Sequence, residues 1–128
     1  MTTDQRRKHG QIGEQIAEEH LAHRGYRLVA RNYRTRYGEL DLIVADARAL
    51  VFCEVKTRVA GTRRGPDGPL DAIGTRKRDR IRKMATQWLA ETADEDRPRP
   101  PRLRFDAIGV MLTHGGDLLA LEHLEDAF

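Results

Sequence analysis

The seven residues 50–56, Leu-Val-Phe-Cys-Glu-Val-Lys, decide the fold of this chain. The stretch is short, apolar and rich in residues that favour strands, so it predicts a β-strand. Residues two apart in a strand share a face, so Phe52, Glu54 and Lys56 point one way and Val51 and Cys53 the other. Because a buried charge is costly unless it is paired or bound to metal, the acid and the lysine indicate either a site or a partly exposed ion pair.

The preceding segment, residues 38–44, also alternates. Its two faces are Leu40, Leu42 and Val44 on one side and Glu39, Asp41 and Ile43 on the other. A hairpin with an even number of loop residues within 46–49 places Asp41 opposite Glu54. In the same register Glu39 faces Lys56 and Ile43 faces Phe52. A slip of one residue would move Asp41 to the other face.

Two carboxylates in this register have Cβ atoms about 4.5–5.5 Å apart. They repel each other, and a divalent cation between them removes the repulsion. A third acid, Glu14, lies at the margin of the apolar arc of the first predicted helix, although most helical glutamates are only solvated. Mg²⁺ takes carboxylate and phosphate oxygens, and Lys56 would orient a water or neutralise charge on phosphate. This set suits hydrolysis of a phosphodiester.

Composition points to a folded domain. The chain has 128 residues, enough for a single domain (1–128) that buries roughly two-thirds of its unfolded surface. Lys and Arg number 23 against 20 Asp and Glu, a net charge of +3. The single cysteine, Cys53, excludes a disulfide framework and is predicted to be a small core residue. Without a visible signal peptide or membrane span, the predicted compartment is the cytoplasm.

Hydrophobic periodicity predicts seven elements in the order α-β-β-β-α-β-β. The helices are predicted at 4–24 and 70–92 and the strands at 26–31, 38–44, 50–56, 103–112 and 118–122. Residues 32–37 read as a basic connection and 59–69 as a loop long enough to be functional. The order favours an α/β domain with a mixed sheet.

Six cations fall within residues 76–83 of the second helix. A solvated face is the usual explanation, but a nucleic-acid backbone would also be held by such cations. The candidate contacts are Arg58, Arg63, Arg64, Arg76, Lys77 and Arg80.

Two further acids are predicted to have structural roles. Glu39 could be a spare metal ligand, but a role as the ion-pair partner of Lys56 or of a basic loop residue is favoured. Asp106 could belong to the site, but a role as a structural hydrogen-bond acceptor is favoured.

Residues 38–41 and 54–56 resemble the PD-(D/E)xK nuclease core of restriction endonucleases and archaeal Holliday junction resolvases. More closely, the chain resembles the bacterial YraN family, also labelled UPF0102. The shared motifs are G-x-x-G-E at 10–14, R-N at 31–32, G-E-x-D at 38–41, V-F-x-E-V-K-T-R at 51–58, R-F-D at 104–106 and A-F at 127–128. One departure is Leu40, which stands where the nuclease motif has proline.

The resemblance implies a restriction-endonuclease-like fold, a mixed sheet flanked by helices. It also implies a site of Glu14, Asp41, Glu54 and Lys56, with Mg²⁺ or Mn²⁺ held by the three acids. The leading hypothesis is a metal-dependent endonuclease acting on DNA, including branched or single-stranded forms, with a homodimer expected by analogy. The alternatives are a non-catalytic nucleic-acid-binding or adaptor protein of the same fold, and a protein-interaction module whose charge pairs only stabilise the fold.

Overall fold

The computed structural model describes residues 2–61 and 75–128, and at residues 75–77 it describes the backbone alone. These residues form the elements α1 (Thr3–His23), β1 (Arg27–Thr35), β2 (Gly38–Ala45), β3 (Ala49–Val59), α2 (Thr75–Glu91), β4 (Arg102–Leu112) and β5 (Leu118–Leu124). The strands form one five-stranded sheet in the order β1-β2-β3-β4-β5. β3 and β4 are parallel, and the other neighbours are antiparallel. The predicted fold class and element order are confirmed.

α1 lies against one face of the sheet and begins and ends as its sequence dictates. Thr2 caps its first turn in a capping box with Gln5. Gly25, at φ 92°, adopts the left-handed conformation in which helices often stop. A Cβ at Gly13 would collide with the side chain of Thr57 on β3. The glycine therefore lets α1 approach β3 closely, which brings the next residue, Glu14, to the sheet.

The apolar residues of β3 confirm the predicted alternation. Val51 and Cys53 pack with Ala17 and Leu21 of α1. Phe52 points to the other face, where its ring stacks on Phe105 at 5.5 Å and meets Trp88 of α2 edge-on at 5.8 Å. The sheet therefore separates two cores, and Glu54 and Lys56 follow Phe52 onto the α2 side by strand alternation.

The alternation predicted along β2 is wrong at Leu40. Leu42 packs in the core on the α1 side as expected, but Leu40 packs in the core on the α2 side. Two residues of a regular strand would share a face, so the backbone departs from regular pleating between them. The departure centres on Asp41.

The predicted basic connection at 32–37 is also wrong. β1 continues to Thr35 and pairs with β2 through Arg31–Leu42 and Tyr33–Leu40. Because β1 is an edge strand of this sheet, its backbone is paired on one side while its polar side chains stay in solvent. The start of the second helix, predicted at residue 70, lies outside the described residues. Neither helix, as described, combines the length and apolarity needed to cross a membrane.

Candidate metal centre

Strands β2 and β3 separate at Asp41. Their pairing has the predicted register, with Ile43 opposite Phe52, and its last pair is Leu42 with Cys53. One step further the register would bring Asp41 opposite Glu54. There the Asp41 carboxylate accepts a 2.7 Å hydrogen bond from the backbone N–H of Val55. A side-chain oxygen of Asp41 thus replaces a backbone carbonyl as the acceptor for Val55, and the Asp41 carboxylate therefore lies in the gap between the strands.

Three acids from two elements converge beside this gap. One carboxylate oxygen each from Glu14, Glu39 and Asp41 lie within 4.8 Å of one another. Hard divalent cations hold oxygen ligands at about 2.0–2.6 Å, so oxygens on one ion are separated by at most about twice that distance. The donor set and its spacing therefore fit Mg²⁺ or Mn²⁺.

Asn32 holds two of these acids together. Its amide nitrogen donates to Glu14 Oε1 at 2.6 Å and to Glu39 Oε1 at 2.8 Å. The residue has φ 52°, a left-handed conformation that asparagine tolerates better than most residues. This conformation turns the amide of an edge-strand residue towards α1, so that Glu14 and Glu39 share one donor.

Burial and the charges of neighbouring acids raise the pKa of Asp41 and of Glu14. Burial raises the pKa of Asp41 to about 7, and the charges of Glu14, Glu54 and Glu39 add to it, against the hydrogen bond from Val55. The pKa of Glu14 is raised by burial, lowered by its bond from Asn32 and raised by Glu39. Strong perturbation of clustered acids is typical of functional sites.

Basic residues of β1 border the acids. Arg34 Nε lies 3.2 Å from Glu39 Oε2, and Arg31 Nη2 lies 3.0 Å from Glu18 Oε1. A groove of about 350 Å³ opens beside Glu14, between α1 and β1, with Arg31 and Asn32 in its wall. The wall of this groove therefore combines the carboxylates of Glu14 and Glu18 with the guanidinium of Arg31.

The predicted site residues are thus placed as follows. Glu14 and Asp41 come together, joined by Glu39. Glu54 is outside this group of three, although its charge is near enough to raise the pKa of Asp41. Lys56 is half-buried and shares the strand face of Glu54. The β2–β3 pairing ends before Glu39 could face Lys56, and Glu39 pairs with Arg34, one of the basic residues of the segment predicted as a connection.

The predicted nucleic-acid contacts are described only in part. Arg58 is half-buried on β3, and Arg80 is exposed on α2 with its side chain over Gly38, at the start of β2. Arg63 and Arg64 lie outside the described residues, as do the side chains of Arg76 and Lys77. Their role therefore remains a prediction.

Sequence reasoning missed Asn32 and undervalued Glu39. Both belong to motifs already visible in the chain, Arg31-Asn32 and residues 38–41. An asparagine beside the first predicted strand gave no local indication that it contacts a helix, since its bond to Glu14 spans 18 residues. Asp106, in contrast, is fully buried and hydrogen-bonded to Arg104 and His123, as its structural interpretation requires.

Comparison with known proteins identifies the relatives of this chain. Residues 13–110 match the sequence model of the "Uncharacterised protein family UPF0102". A UPF0102 protein of Frankia alni is 44% identical over 119 residues, which cover 93% of this chain and 92% of the relative. One from Rhodococcus opacus is 40% identical over 119 residues, 93% and 94% of the two chains. One from Symbiobacterium thermophilum is 45% identical over 104 residues, 81% and 82% of the two chains.

Proposed function

The chain belongs to the UPF0102 family, and from its site we propose that it is a metal-dependent nuclease that hydrolyses DNA phosphodiesters. The observation that supports this proposal most is the convergence of Glu14, Glu39 and Asp41, whose oxygens lie within 4.8 Å of one another. Exposed acids often cluster without a ligand, but Asp41 is largely buried and its pKa is raised to about 7. Such a carboxylate is poised to release its proton when a cation binds.

Each residue has a role in the proposed reaction. Glu14, Asp41 and Glu39 would hold Mg²⁺ or Mn²⁺, with Glu54 completing the set from the neighbouring strand. A bound ion would supply a Lewis acid for the phosphoryl oxygen and a water of lowered pKa. Lys56, two residues after Glu54, would neutralise negative charge that develops on the phosphate.

Arginines would bring the DNA backbone to the acids. Arg31 borders the groove, Arg34 pairs with Glu39, and Arg80 lies over the start of β2. Arginine pairs with phosphate through a planar fork of donors. Each phosphate contact adds to the salt dependence of binding, so we propose an affinity for DNA that falls steeply with salt.

Cleavage of flap, junction and single-stranded DNA with Mn²⁺ tests the proposal. We expect Asp41→Ala and Glu54→Ala to lose more than about a hundredfold of the rate, because loss of even an outer partner of a metal ligand typically costs 10–100-fold. Asp94→Ala is the matched control, since it removes one exposed carboxylate from the connector after α2. Equal rates in wild type and all variants would refute the assignment.

DNA binding offers the second readout. Binding that persists in EDTA, with no cleavage of any substrate, would instead identify a non-catalytic nucleic-acid-binding or adaptor protein. Failure to bind any form of DNA at low salt would favour a protein-interaction module. The three outcomes are distinguished by the same set of substrates with and without Mn²⁺.

The shared amide of Asn32 predicts a separate effect on metal affinity. Asn32→Ala removes the hydrogen bonds to Glu14 and Glu39, so we expect Mn²⁺ affinity to fall about 10–100-fold. Asn32→Gly removes the same bonds but accepts φ 52° without strain, so it separates loss of the donor from loss of backbone geometry. Isothermal calorimetry measures both. Unchanged Mn²⁺ affinity in both variants would show that Asn32 does not position the acids.

A further inference from the structure

Arg34 and Glu39 form an ion pair beside the acids of the proposed metal centre. The two residues are register partners on β1 and β2, and Arg34 Nε lies 3.2 Å from Glu39 Oε2. The other oxygen of Glu39, Oε1, accepts a 2.8 Å hydrogen bond from Asn32. Each oxygen of Glu39 therefore has a polar partner, one of them neutral and the other positively charged.

The two partners of Glu39 respond differently to a divalent cation. Asn32 is neutral and bonds Glu14 as well, so it can keep both acids in place around a bound ion. Arg34 is itself a cation, and an ion on Glu39 both takes up the charge that attracts it and repels it. The side chain of Arg34 is 85% exposed, and an exposed ion pair contributes little free energy. The guanidinium can therefore leave Glu39 at small cost.

We infer that Arg34 couples metal binding to DNA binding, an inference that rests on the proposed function. In a solution without divalent ions, Arg34 neutralises Glu39. When Glu39 holds an ion, the guanidinium of Arg34 is released beside it and binds a phosphate of the DNA backbone. Arginine suits this exchange because its planar fork of donors fits a carboxylate and a phosphate alike.

The exchange changes two affinities in opposite directions when Arg34 is removed. The metal should bind more tightly, because Glu39 no longer has a competing cation. DNA should bind less tightly when a divalent ion is present, because one phosphate contact is lost. By linkage, the factor by which the ion tightens DNA binding equals the factor by which DNA tightens ion binding. This common factor should be smaller in Arg34→Ala than in the wild type.

Isothermal calorimetry with Mn²⁺ in the absence of DNA tests the first effect. Arg34→Ala is expected to bind Mn²⁺ up to about fivefold more tightly than the wild type, the range of an exposed ion pair. Arg36→Ala is the matched control, because the exposed Arg36 lies in the β1–β2 turn and donates to the hydroxyl of Tyr37 at 2.7 Å. It removes the same charge without releasing an acid, so its Mn²⁺ affinity should match the wild type. An equal change in both variants would overturn the exchange.

The salt dependence of DNA binding tests the second effect. Fluorescence anisotropy is measured with Ca²⁺, which also takes oxygen ligands, and in EDTA, and electrophoresis verifies that the DNA stays intact. Each phosphate contact on duplex DNA contributes about 0.9 to the slope of log affinity against log salt. Arg34→Ala should lose about one contact with Ca²⁺ and none in EDTA, whereas any loss in Arg36→Ala should be the same in both. An equal loss in Arg34→Ala under the two conditions would contradict the release of Arg34.

The wild type distinguishes failure of the exchange from failure of the nuclease assignment. A wild type that binds Mn²⁺ and DNA, with Mn²⁺ affinity unchanged in Arg34→Ala, would overturn the exchange alone. Cleavage by Asp41→Ala and Glu54→Ala would then still decide whether the protein is a nuclease. A wild type that lacks affinity for either Mn²⁺ or DNA would refute the exchange together with the nuclease assignment.

Discussion

In EDTA at pH 8, Asp41→Asn is expected to be more stable than the wild type by about 3–4 kcal/mol. Burial and three neighbouring acids raise the pKa of Asp41 from 3.8 to about 7, and each pKa unit corresponds to about 1.4 kcal/mol. The folded state therefore binds the proton more tightly than the unfolded state. Proton binding by Asp41 therefore stabilises the folded state, and this contribution is largest below pH 4 and is lost as the pH rises to about 7.

Asp41→Asn is expected to preserve the structure while it removes the negative charge of the carboxylate. Its amide oxygen can still accept from the N–H of Val55, and its amide nitrogen meets the carboxylates of Glu14 and Glu39 in place of a like charge. The exposed Asp94→Asn is the control, with an expected effect near zero. Urea denaturation at pH 5 and pH 8 measures the difference between variant and wild type.

Only that difference isolates Asp41, because other groups titrate in the same window. The raised pKa of Glu14 acts in the same direction. The pKa of His20 is lowered by burial and by the charges of His123, Arg24 and His23, so stability from His20 rises with pH and opposes the trend. A wild type as stable as Asp41→Asn at pH 8 would contradict the proposed strain among the acids.

Mn²⁺ should reverse the order of the two proteins. A ligand that binds only the folded state stabilises it by RT ln(1 + [L]/Kd), about 4.1 kcal/mol at a thousandfold excess over Kd. The wild type should gain this amount, while Asp41→Asn, which lacks one ligand charge, should gain far less. A variant that is more stable without metal and unresponsive to metal is the behaviour expected of a functional residue that costs folding stability.

How far the sequence predicts the site depends on which contacts are local. The face of Phe52 and the register of Ile43 follow from strand alternation and the parity of one short hairpin, and both are confirmed. The face of Leu40 does not follow, because the strand is deformed where Asp41 takes a hydrogen bond from Val55. The alternation of apolar and polar residues in the sequence does not reveal where a side chain replaces a backbone group as a hydrogen-bond partner.

The end of β1 was missed for a related reason. Its second half, residues 31–35, is polar and basic apart from Tyr33. Only Tyr33 packs against the core, and the other residues of this half pair with β2 through the backbone. Asn32 adopts its left-handed conformation within this half, where contact with α1 is decided by the packing of Gly13 against Thr57. Such long-range packing sets the final position of Glu14. The sequence alone predicts only that Glu14 lies at the margin of the apolar face of α1.

Asp106→Ala is expected to destabilise the protein by about 3–5 kcal/mol, the opposite of the effect at Asp41. The fully buried carboxylate accepts from Arg104 Nε and Nη2, each at 2.9 Å, and contacts His123 Nε2 at 2.8 Å and the N–H of Asp126 at 3.1 Å. Removing it leaves the guanidinium of Arg104, whose side chain is 12% exposed, without its main counter-charge. Loss of one partner of a buried ion pair typically has this magnitude.

The same contacts explain the opposite proton affinities of the two acids. Burial alone would raise the pKa of Asp106, but the bonds from His123, Arg104 and Asp126 outweigh it and hold the pKa below its usual value. Its contribution to stability is present at neutral pH and lost as the pH falls through that lowered pKa. Asp41 has one N–H donor and three acidic neighbours, so its pKa moves the other way.

Measuring the two variants side by side separates structural from functional acids. Urea denaturation at pH 8 should show Asp106→Ala below the wild type and Asp41→Asn above it. Under conditions where it stays folded, Asp106→Ala should bind Mn²⁺ with wild-type affinity, because its carboxylate already has its donors and is outside the group of Glu14, Glu39 and Asp41. Replacing both partners, as Arg104→Met with Asp106→Leu, should cost less than Asp106→Ala, since no charge is then left buried. Loss of Mn²⁺ binding by folded Asp106→Ala would instead assign the residue to the metal centre.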